Sequence, residues 1–142
     1  MVGYISREKL AEIIKSRDKV PHKDYLIVDV RDQDYVGGNI KGSRNIPSLQ
    51  FPDDVDELVN ETKEIPTVIF HCSLSQSRGP TAAALYKKRR EVLQEGTEAK
   101  PYSVQILRDG FKEFQSHYKH DPELVENWDA KVWSPNWNWF PG

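Results

Sequence analysis

Three short apolar runs stand out along the chain, at residues 25–30, 67–71 and 103–107. Each has the length of a strand, and apolar side chains follow one another with little polar interruption. Strands that are covered on both faces, as in a parallel sheet, show this pattern. The sequence therefore predicts three buried strands.

Segments with helical spacing of apolar residues separate these runs. Ser6 is placed to cap a first helix, and a second is expected over residues 53–60. Pro80 fits the first turn of a third helix, which continues to Gly96. A fourth helix, rich in aromatic residues, follows a turn at Gly110. This alternation predicts an α/β fold with a mostly parallel central sheet flanked by helices.

The expected ligand site follows from this architecture. In open parallel sheets, ligands bind beyond the carboxyl ends of the strands. The rule points to the residues that follow Val30, His71 and Leu107. Glycines and a proline punctuate residues 37–47, so we expect a long loop after the first run.

Composition narrows the classes of function. The chain has 142 residues, enough for one domain with one core. Its 20 Lys and Arg against 22 Asp and Glu give a net charge of −2, which offers no reason to expect a nucleic-acid partner. A mean hydropathy of −0.70 and the lack of a long apolar run exclude a membrane span, and we expect no membrane partner.

The expected compartment rests on the single cysteine, Cys72, which allows no internal disulfide. A reducing compartment, the cytoplasm or the nucleus, is the natural interpretation. No apolar leader follows Met1, so we expect no signal peptide. The basic run at residues 87–90 could be a nuclear-import signal, but on a predicted helix we interpret it as a solvated face.

The segment from Cys72 to Arg78 carries the strongest chemical signal. Cys72 comes just after a predicted strand, five residues separate it from Arg78, and a helix follows. A loop of this size can turn its backbone N–H groups inward to form an anion-binding nest, which the helix dipole strengthens. The expected oxyanion-binding residues are Ser73, Leu74, Ser75, Gln76, Ser77 and Arg78.

The same loop can activate a nucleophile. Arg78 offers a planar pair of donors for two oxygens of a tetrahedral oxyanion, and the positive field stabilises a thiolate at Cys72. The sulfur could then attack phosphorus or arsenic in line. The alternative is that Cys72 is a small buried apolar residue and Arg78 an unrelated surface charge.

The run from His71 to Pro80, with cysteine and arginine separated by five residues and followed by Gly-Pro, resembles a known active-site loop. It is similar to that of the rhodanese-fold phosphatases of the cell-division-cycle, dual-specificity kind. It resembles even more their small fungal and plant relatives, described as phosphatases or arsenate reductases. Residues 28–31, 38–47 and 107–111 resemble further segments of the family. The resemblance implies a single rhodanese-like catalytic domain over residues 1–120, with a Trp-rich extension over residues 121–142.

This resemblance implies a phosphatase of the tyrosine or dual-specificity type, with Cys72 and Arg78 catalytic and a phosphocysteine intermediate. No bound cofactor is expected, and the partner would be a phosphoprotein or a small oxyanion. The close alternative is arsenate reduction, for which a chain with one cysteine needs an external thiol, glutathione with glutaredoxin. A sulfurtransferase is less favoured because its loop is generally one residue shorter. A non-catalytic module that binds oxyanions or phosphopeptides is a further alternative.

The general acid for the leaving group is open. Asp109, Asp32 and Asp34 follow predicted strands and are candidates, although a turn-forming or solvated aspartate is the favoured interpretation of each. The resemblance implies that Asp29 braces neighbouring loops and that His71 orients the catalytic loop. Because no acidic residue lies within the loop itself, aryl phosphates, which have good leaving groups, should react best.

Two smaller features complete the predictions. His117 and His120 have no cysteine partners, so we interpret them as a solvated helix end and expect no metal site. All four tryptophans, Trp128, Trp133, Trp137 and Trp139, lie close to the C-terminus. We expect them to pack back over the core; the alternative is a platform for a partner or substrate.

Overall fold

Strands and helices alternate through the computed structural model of the protein, which describes residues 2–137. The seven strands found there are, in chain order, β1 (Gly3–Ile5), β2 (Leu26–Asp29), β3 (Asn39–Ile40), β4 (Arg44–Asn45), β5 (Thr67–His71), β6 (Ser103–Leu107) and β7 (Val125–Glu126). The four α-helices in the same residues are α1 (Arg7–Lys15), α2 (Phe51–Thr62), α3 (Arg78–Leu93) and α4 (Gly110–Tyr118). None of these helices is long and apolar enough to cross a membrane.

Five parallel strands form the central sheet, in the order β1-β6-β5-β2-β4. In the register of β2 and β5, Asp29 lies opposite His71. Both strands therefore end at the same edge of the sheet, where the loops that follow them meet. The predicted α/β fold with a mostly parallel sheet is confirmed.

The sheet is buried on both faces, which explains why apolar and polar residues do not alternate along its central strands. Val28 and Phe70 belong to a core that includes residues of α2 and α3. Ile27 and Ile69, their neighbours in sequence, belong to a second core that includes residues of α1 and α4. Since adjacent side chains of a strand point to opposite faces, both sets must be apolar.

The segment after β2 is more structured than the predicted long loop over residues 37–47, so that prediction is wrong in part. A 3₁₀ turn covers Gln33–Tyr35, β4 pairs with β2, and β3 pairs with β7 in a separate antiparallel ribbon. Strands of two residues are too short to show any periodicity, and their pairing depends on distant partners. The edge strand β1 was missed for the same reason.

Part of the Trp-rich segment packs on the domain. Trp128 donates its indole N–H to Gln115 at 2.9 Å, and Trp133 donates its own to the carbonyl of Gly37 at 2.8 Å. Both rings pack against the second core. These contacts support the expected packing, which stays a prediction for the segment as a whole, and Trp139 lies outside the described residues. The division into a domain and an extension at residue 120 stays a prediction.

The basic run at residues 87–90 is not a fully solvated face, so that interpretation is wrong at one position. Arg90 is only 1% exposed. Its guanidinium donates to the Tyr86 hydroxyl and to the carbonyls of Ile65 and Lys63, and it stacks on the ring of Tyr102. Enough acceptors surround this buried charge to compensate its desolvation.

Candidate active site

The sulfur of Cys72 lies at the N-terminus of α3. Cys72 is 3% exposed, and its Sγ accepts a hydrogen bond from the N–H of Gly79 at 3.3 Å. A Cβ at residue 79 would lie 3.3 Å from both the Cys72 nitrogen and the His71 Cα, so glycine permits this close approach. The helix N-terminus therefore presents its positive end to the sulfur.

The intervening loop has the features of an anion nest. Within residues 2–137, the backbone N–H groups of residues 73–78 have no hydrogen-bond acceptor. Ser75 adopts the left-handed conformation, with φ of 55°, which curls the loop. Its hydroxyl oxygen is buried, and it too lacks a partner among the described residues. Unpaired donors gathered at a helix N-terminus are suited to an anion.

Arg78 is paired with two carboxylates, which the sequence analysis did not anticipate. Its Nη1 donates to Asp34 Oδ1 at 2.8 Å and to Asp32 Oδ2 at 3.1 Å, while Nη2 donates to Asp34 Oδ2 at 2.6 Å. These hydrogen bonds raise the pKa of Arg78 further above its usual value. The pair is partly exposed, with 31% of the Arg78 side chain accessible.

Both carboxylates are also tied to neighbouring loops. Asp34 accepts from the hydroxyl of Ser73 at 2.6 Å, and Asp32 accepts from the hydroxyl of Ser48 at 2.6 Å. Burial raises the pKa of Asp34, but the hydrogen bonds from Arg78 and Ser73 outweigh it and hold that pKa well below its usual range. The pKa of Asp32 is lowered in the same way. Both groups are therefore ionised at neutral pH while Arg78 holds them.

The third candidate acid lies apart from this cluster. Asp109 precedes α4, its side chain is 54% exposed, and its carboxylate lies 3.8 Å from Arg7. The structure thus brings Asp32 and Asp34 to Arg78, but it does not bring Asp109 there. A general-acid role for any of these three aspartates stays a prediction.

A second aspartate–arginine pair lies beneath the loop. Asp29 and Arg31 are both fully buried, and Arg31 Nη2 donates to Asp29 Oδ2 at 2.7 Å. Arg31 also donates to the carbonyls of Asp34 and Gly38. The pair thereby holds the segment that carries Asp34, which fits the bracing role expected of Asp29.

His71 lies against the backbone of the catalytic loop. Its Nδ1 is 3.0 Å from the carbonyl oxygen of Cys72, and its Nε2 is 3.7 Å from Asp29. Burial lowers the pKa of His71, so the ring is neutral at pH 7. These contacts support an orienting role for His71.

The sequence and the fold of this chain are similar to those of known proteins. Residues 6–117 match the family described as the Rhodanese-like domain. The chain belongs to the rhodanese-like family. It is 37% identical to the dual specificity phosphatase Cdc25 of Arabidopsis thaliana, over 83% of this chain and 76% of that protein. It is 31% identical to arsenate reductase 2.2 of Oryza sativa subsp. japonica, over 78% of this chain and 79% of that protein.

A solved rhodanese-like structure agrees with the fold. Ygr203w, described as a yeast protein tyrosine phosphatase of the rhodanese family, superposes with a TM-score of 0.79 at 28% identity. The match covers 94% of this chain and 97% of that one. The predicted family and fold are therefore confirmed, and the relatives carry the two activities that the sequence analysis placed first.

One structural support of the rhodanese-like site was missed from the sequence. The N–H groups of Phe111 and Lys112, at the start of α4, donate to the carbonyls of Cys72 and Ser73, each at 3.0 Å. A Cβ on Gly110 would lie 2.3 Å from the Ser73 carbonyl oxygen. The glycine after Asp109 was the available signal, because such close backbone contact tolerates no side chain.

The histidines of α4 and its end take part in local contacts. His117 Nδ1 lies 2.9 Å from the carbonyl of Glu113, and the ring of His120 lies edge-on to Trp128. Among residues 2–137, no group of three or more histidine, cysteine, aspartate and glutamate side chains could hold a metal ion.

Proposed function

We propose that this protein is a cysteine-dependent phosphatase that hydrolyses phosphate monoesters through a phosphocysteine intermediate. The observation that carries the proposal is the position of Cys72 Sγ, which accepts from the N–H of Gly79 inside a loop of unpaired N–H groups. A thiolate and an oxyanion are both stabilised at such a place. The phosphatases among the relatives support the assignment.

The proposed reaction has two steps at phosphorus. Cys72 Sγ attacks the phosphorus, a sulfur–phosphorus bond forms, and the bond to the ester oxygen breaks. Water then attacks the phosphocysteine, and the thiolate leaves as phosphate is released. In both steps, Arg78 and the N–H groups of residues 73–78 stabilise the charge on the equatorial oxygens.

The surroundings of the loop favour aromatic leaving groups, as in phosphotyrosine. Leu74, within the loop, is 46% exposed, and Leu49 is 85% exposed. The N–H of Leu49 donates to Asp32, which contacts Arg78, so both leucines lie at the rim of the same site. Exposed apolar side chains beside an anion site are suited to an aryl phosphate.

Arsenate reduction is the second candidate, favoured by the similarity to arsenate reductases and by the near-identical shape of arsenate and phosphate. Cys72 would displace one hydroxyl of arsenate as water and form a sulfur–arsenic bond. Two external thiols, glutathione with glutaredoxin, would then be oxidised to a disulfide as As(V) is reduced to As(III). Cys72, the sole cysteine of the sequence, cannot complete this step alone.

Two assays run side by side test these candidates. Wild type and Cys72→Ser are compared for hydrolysis of p-nitrophenyl phosphate and for arsenate reduction with glutathione and glutaredoxin. We expect phosphate release by the wild type and none by the variant, because a hydroxyl is a poor nucleophile without a base. Arsenate reduction without phosphate release would overturn the first proposal in favour of the second. Sulfur transfer from thiosulfate to cyanide, or oxyanion binding with no turnover of any kind, would overturn both.

The cytoplasm or the nucleus is the compartment we propose, because the thiol of Cys72 must stay reduced to act as a nucleophile. The basic residues of α3 offer weak support for the nucleus, since Arg90 is buried. Fluorescence microscopy of the tagged full chain tests this, and localisation to a secretory compartment would contradict it.

A further inference from the structure

The guanidinium that should bind the substrate is already occupied in this structure. Asp34 accepts from both Nη1 and Nη2 of Arg78, as the two oxygens of an oxyanion would. Asp32 contacts the same Nη1 atom. An incoming oxyanion must therefore compete with the carboxylates for Arg78.

The Arg78–Asp34 contact can be exchanged because it is not sealed in the core. About a quarter of the Asp34 side chain and 31% of the Arg78 side chain are exposed. When Arg78 turns to an oxyanion, Asp34 loses two hydrogen bonds and keeps those from the Ser73 hydroxyl and the Asp32 N–H. It is then left beside the carboxylate of Asp32, and two neighbouring carboxylates favour the uptake of one proton.

We propose that Asp34 acts as a latch that holds Arg78 until an oxyanion displaces it, and that the released Asp34 is then the proton donor to the leaving group. This inference rests on the proposed phosphatase function. The position of Asp34 supports it over the other candidates, because Asp34 bonds to Ser73, the residue next to Cys72. Asp32 bonds instead to Ser48, and Asp109 lies near Arg7.

The protons and electrons of this cycle balance. The monoanion of a phosphate ester carries one proton, which passes to Asp34 as Arg78 binds the resulting dianion. Cys72 Sγ then attacks phosphorus, the phosphorus–oxygen bond breaks, and its electron pair leaves with the alcohol oxygen, which takes the proton from Asp34. In the second step Asp34 accepts a proton from the attacking water and returns it to phosphate, after which Arg78 pairs with Asp34 again.

The charges around Asp34 are consistent with this switch. Arg78 contacts Asp34 from the loop side, where Cys72 lies near Arg78, and Asp32 lies on the same segment as Asp34. Arg31, which contacts the Asp34 carbonyl, is already neutralised by buried Asp29. Arg78 is therefore the cation whose movement changes the charge balance at Asp34. In the latched state its hydrogen bonds keep the pKa of Asp34 low.

Asp34→Asn separates the two roles, because the amide can neither pair with Arg78 as an anion nor donate an acidic proton. Binding of inorganic phosphate is measured by protection of Cys72 from alkylation by iodoacetamide, which needs no turnover. We expect phosphate to bind about fivefold to tenfold more tightly to Asp34→Asn than to the wild type. Phenyl phosphate hydrolysis should fall by about 100-fold or more, whereas p-nitrophenyl phosphate hydrolysis should fall by less than about tenfold.

Two further variants control for indirect effects. Asp56→Asn removes a carboxylate that also binds an arginine, Arg89, on the exposed surface of α2 and α3. It should leave phosphate binding and both rates unchanged. Asp32→Asn should change the ratio of the two rates less than Asp34→Asn does, because it removes only the neighbouring charge that favours proton uptake and leaves the proposed donor in place. Thermal unfolding of each variant establishes that the comparison is made on folded protein.

The outcomes separate this inference from the proposed function. Unchanged phosphate binding in Asp34→Asn, or an equal loss of rate on both esters, would overturn the latch and donor assignment. A wild type that protects Cys72 with phosphate but hydrolyses neither ester would overturn the phosphatase itself. Tighter phosphate binding together with a loss confined to the poorer leaving group supports the inference.

Discussion

Two aspartate–arginine pairs lie close together in this protein. They consist of the same chemical groups but differ in burial and in their other contacts. We call Asp29–Arg31 the closed pair and Asp34–Arg78 the open pair. Their shortest N···O distances are similar, 2.7 Å and 2.6 Å. The closed pair is fully buried, whereas both side chains of the open pair are partly exposed. Distance alone therefore does not tell a structural ion pair from a functional one.

The difference lies in what else each arginine contacts. Arg31 donates to the carbonyls of Asp34 and Gly38, and it lies against the rings of Tyr35 and Phe111. No incoming group can replace so many contacts without unfolding the surroundings. Among residues 2–137, the Arg78 side chain donates hydrogen bonds only to the carboxylates of Asp32 and Asp34, and an oxyanion offers it the same kind of acceptor. Exchangeable partners, rather than strength, therefore distinguish the pair that we propose to bind substrate.

The largest effect that would sharpen this comparison is expected from Arg78→Met. Hydrolysis of p-nitrophenyl phosphate should fall about 10³- to 10⁴-fold, because the cation that binds the transition state is lost. The free energy of unfolding should change by less than about 1 kcal/mol, since the partly exposed carboxylates can be hydrated. Steady-state rates and urea titrations measure both. A variant that unfolds but keeps its rate would reverse the roles of the two pairs.

Arg31→Met should give the opposite pattern. The free energy of unfolding should fall by about 3–5 kcal/mol, because Asp29 is left buried and charged. Urea titration measures the loss, and Arg89→Met, which breaks the exposed pair with Asp56, is the matched control with an expected loss below about 1 kcal/mol. Equal losses in the two variants would show that burial does not distinguish the closed pair.

Phe111→Leu tests a residue that contacts both the closed pair and the backbone of the loop that ends at Arg78. The Phe111 ring lies 4.3 Å from the Arg31 guanidinium, and the backbone N–H of Phe111 donates to the carbonyl oxygen of Cys72. Losing the ring should cost about 2 kcal/mol of unfolding free energy through reduced packing and a lost cation–π contact. The rate per folded molecule should stay within about threefold, because the backbone N–H remains to hold the loop. A large loss of rate at unchanged stability would mean that the ring itself serves the reaction.

The smallest effect is a pH dependence at the open pair. Hydrogen bonds lower the pKa of Asp34 in the folded state, so its contribution to stability is present above the unfolded pKa of about 4 and is lost as pH falls below it. Wild type should therefore exceed Asp34→Asn by about 1 kcal/mol at pH 7, and the gap should close towards pH 2. Denaturant titrations at pH 7, 4 and 2 measure it. A gap that widens on acidification would contradict the low pKa.

The position of the Cys72–Arg78 loop between a strand and a helix was predictable because its signal is local, while its catalytic role stays a prediction. Cys72, Arg78 and the start of the next helix follow one another in sequence, and the apolar run before them fixes the strand. The open pair was not predictable, because it requires the 3₁₀ turn after β2 to lie over a loop that starts about 40 residues later. The sequence predicted the edge of the sheet at which Asp34 lies, but it did not predict that Asp34 pairs with Arg78.

Burial of charged side chains was the other feature that could not be predicted from the sequence. Arg90 and Arg31 are among the largest fully buried side chains, although a charged residue in sequence normally indicates a surface. Their burial depends on carbonyl acceptors and aromatic rings from separate segments. These contacts between separate segments form only when the chain folds, so no local sequence pattern predicts them.

The ribbon of β3 and β7 has a consequence for the order of events during synthesis. Glu126 bonds to Asn39 across 87 residues of chain, and Trp133 bonds to Gly37 across 96. Contacts of such sequence separation form late, and the second partner leaves the ribosome only after the Cys72–Arg78 loop, which lies between the two partners in sequence, has already left it. The contacts of Glu126 and Trp133 with the segment that follows Asp34 can therefore form only after residue 133 has left the ribosome. The nascent protein should acquire its catalytic loop long before it acquires the completed carboxylate contact of that loop.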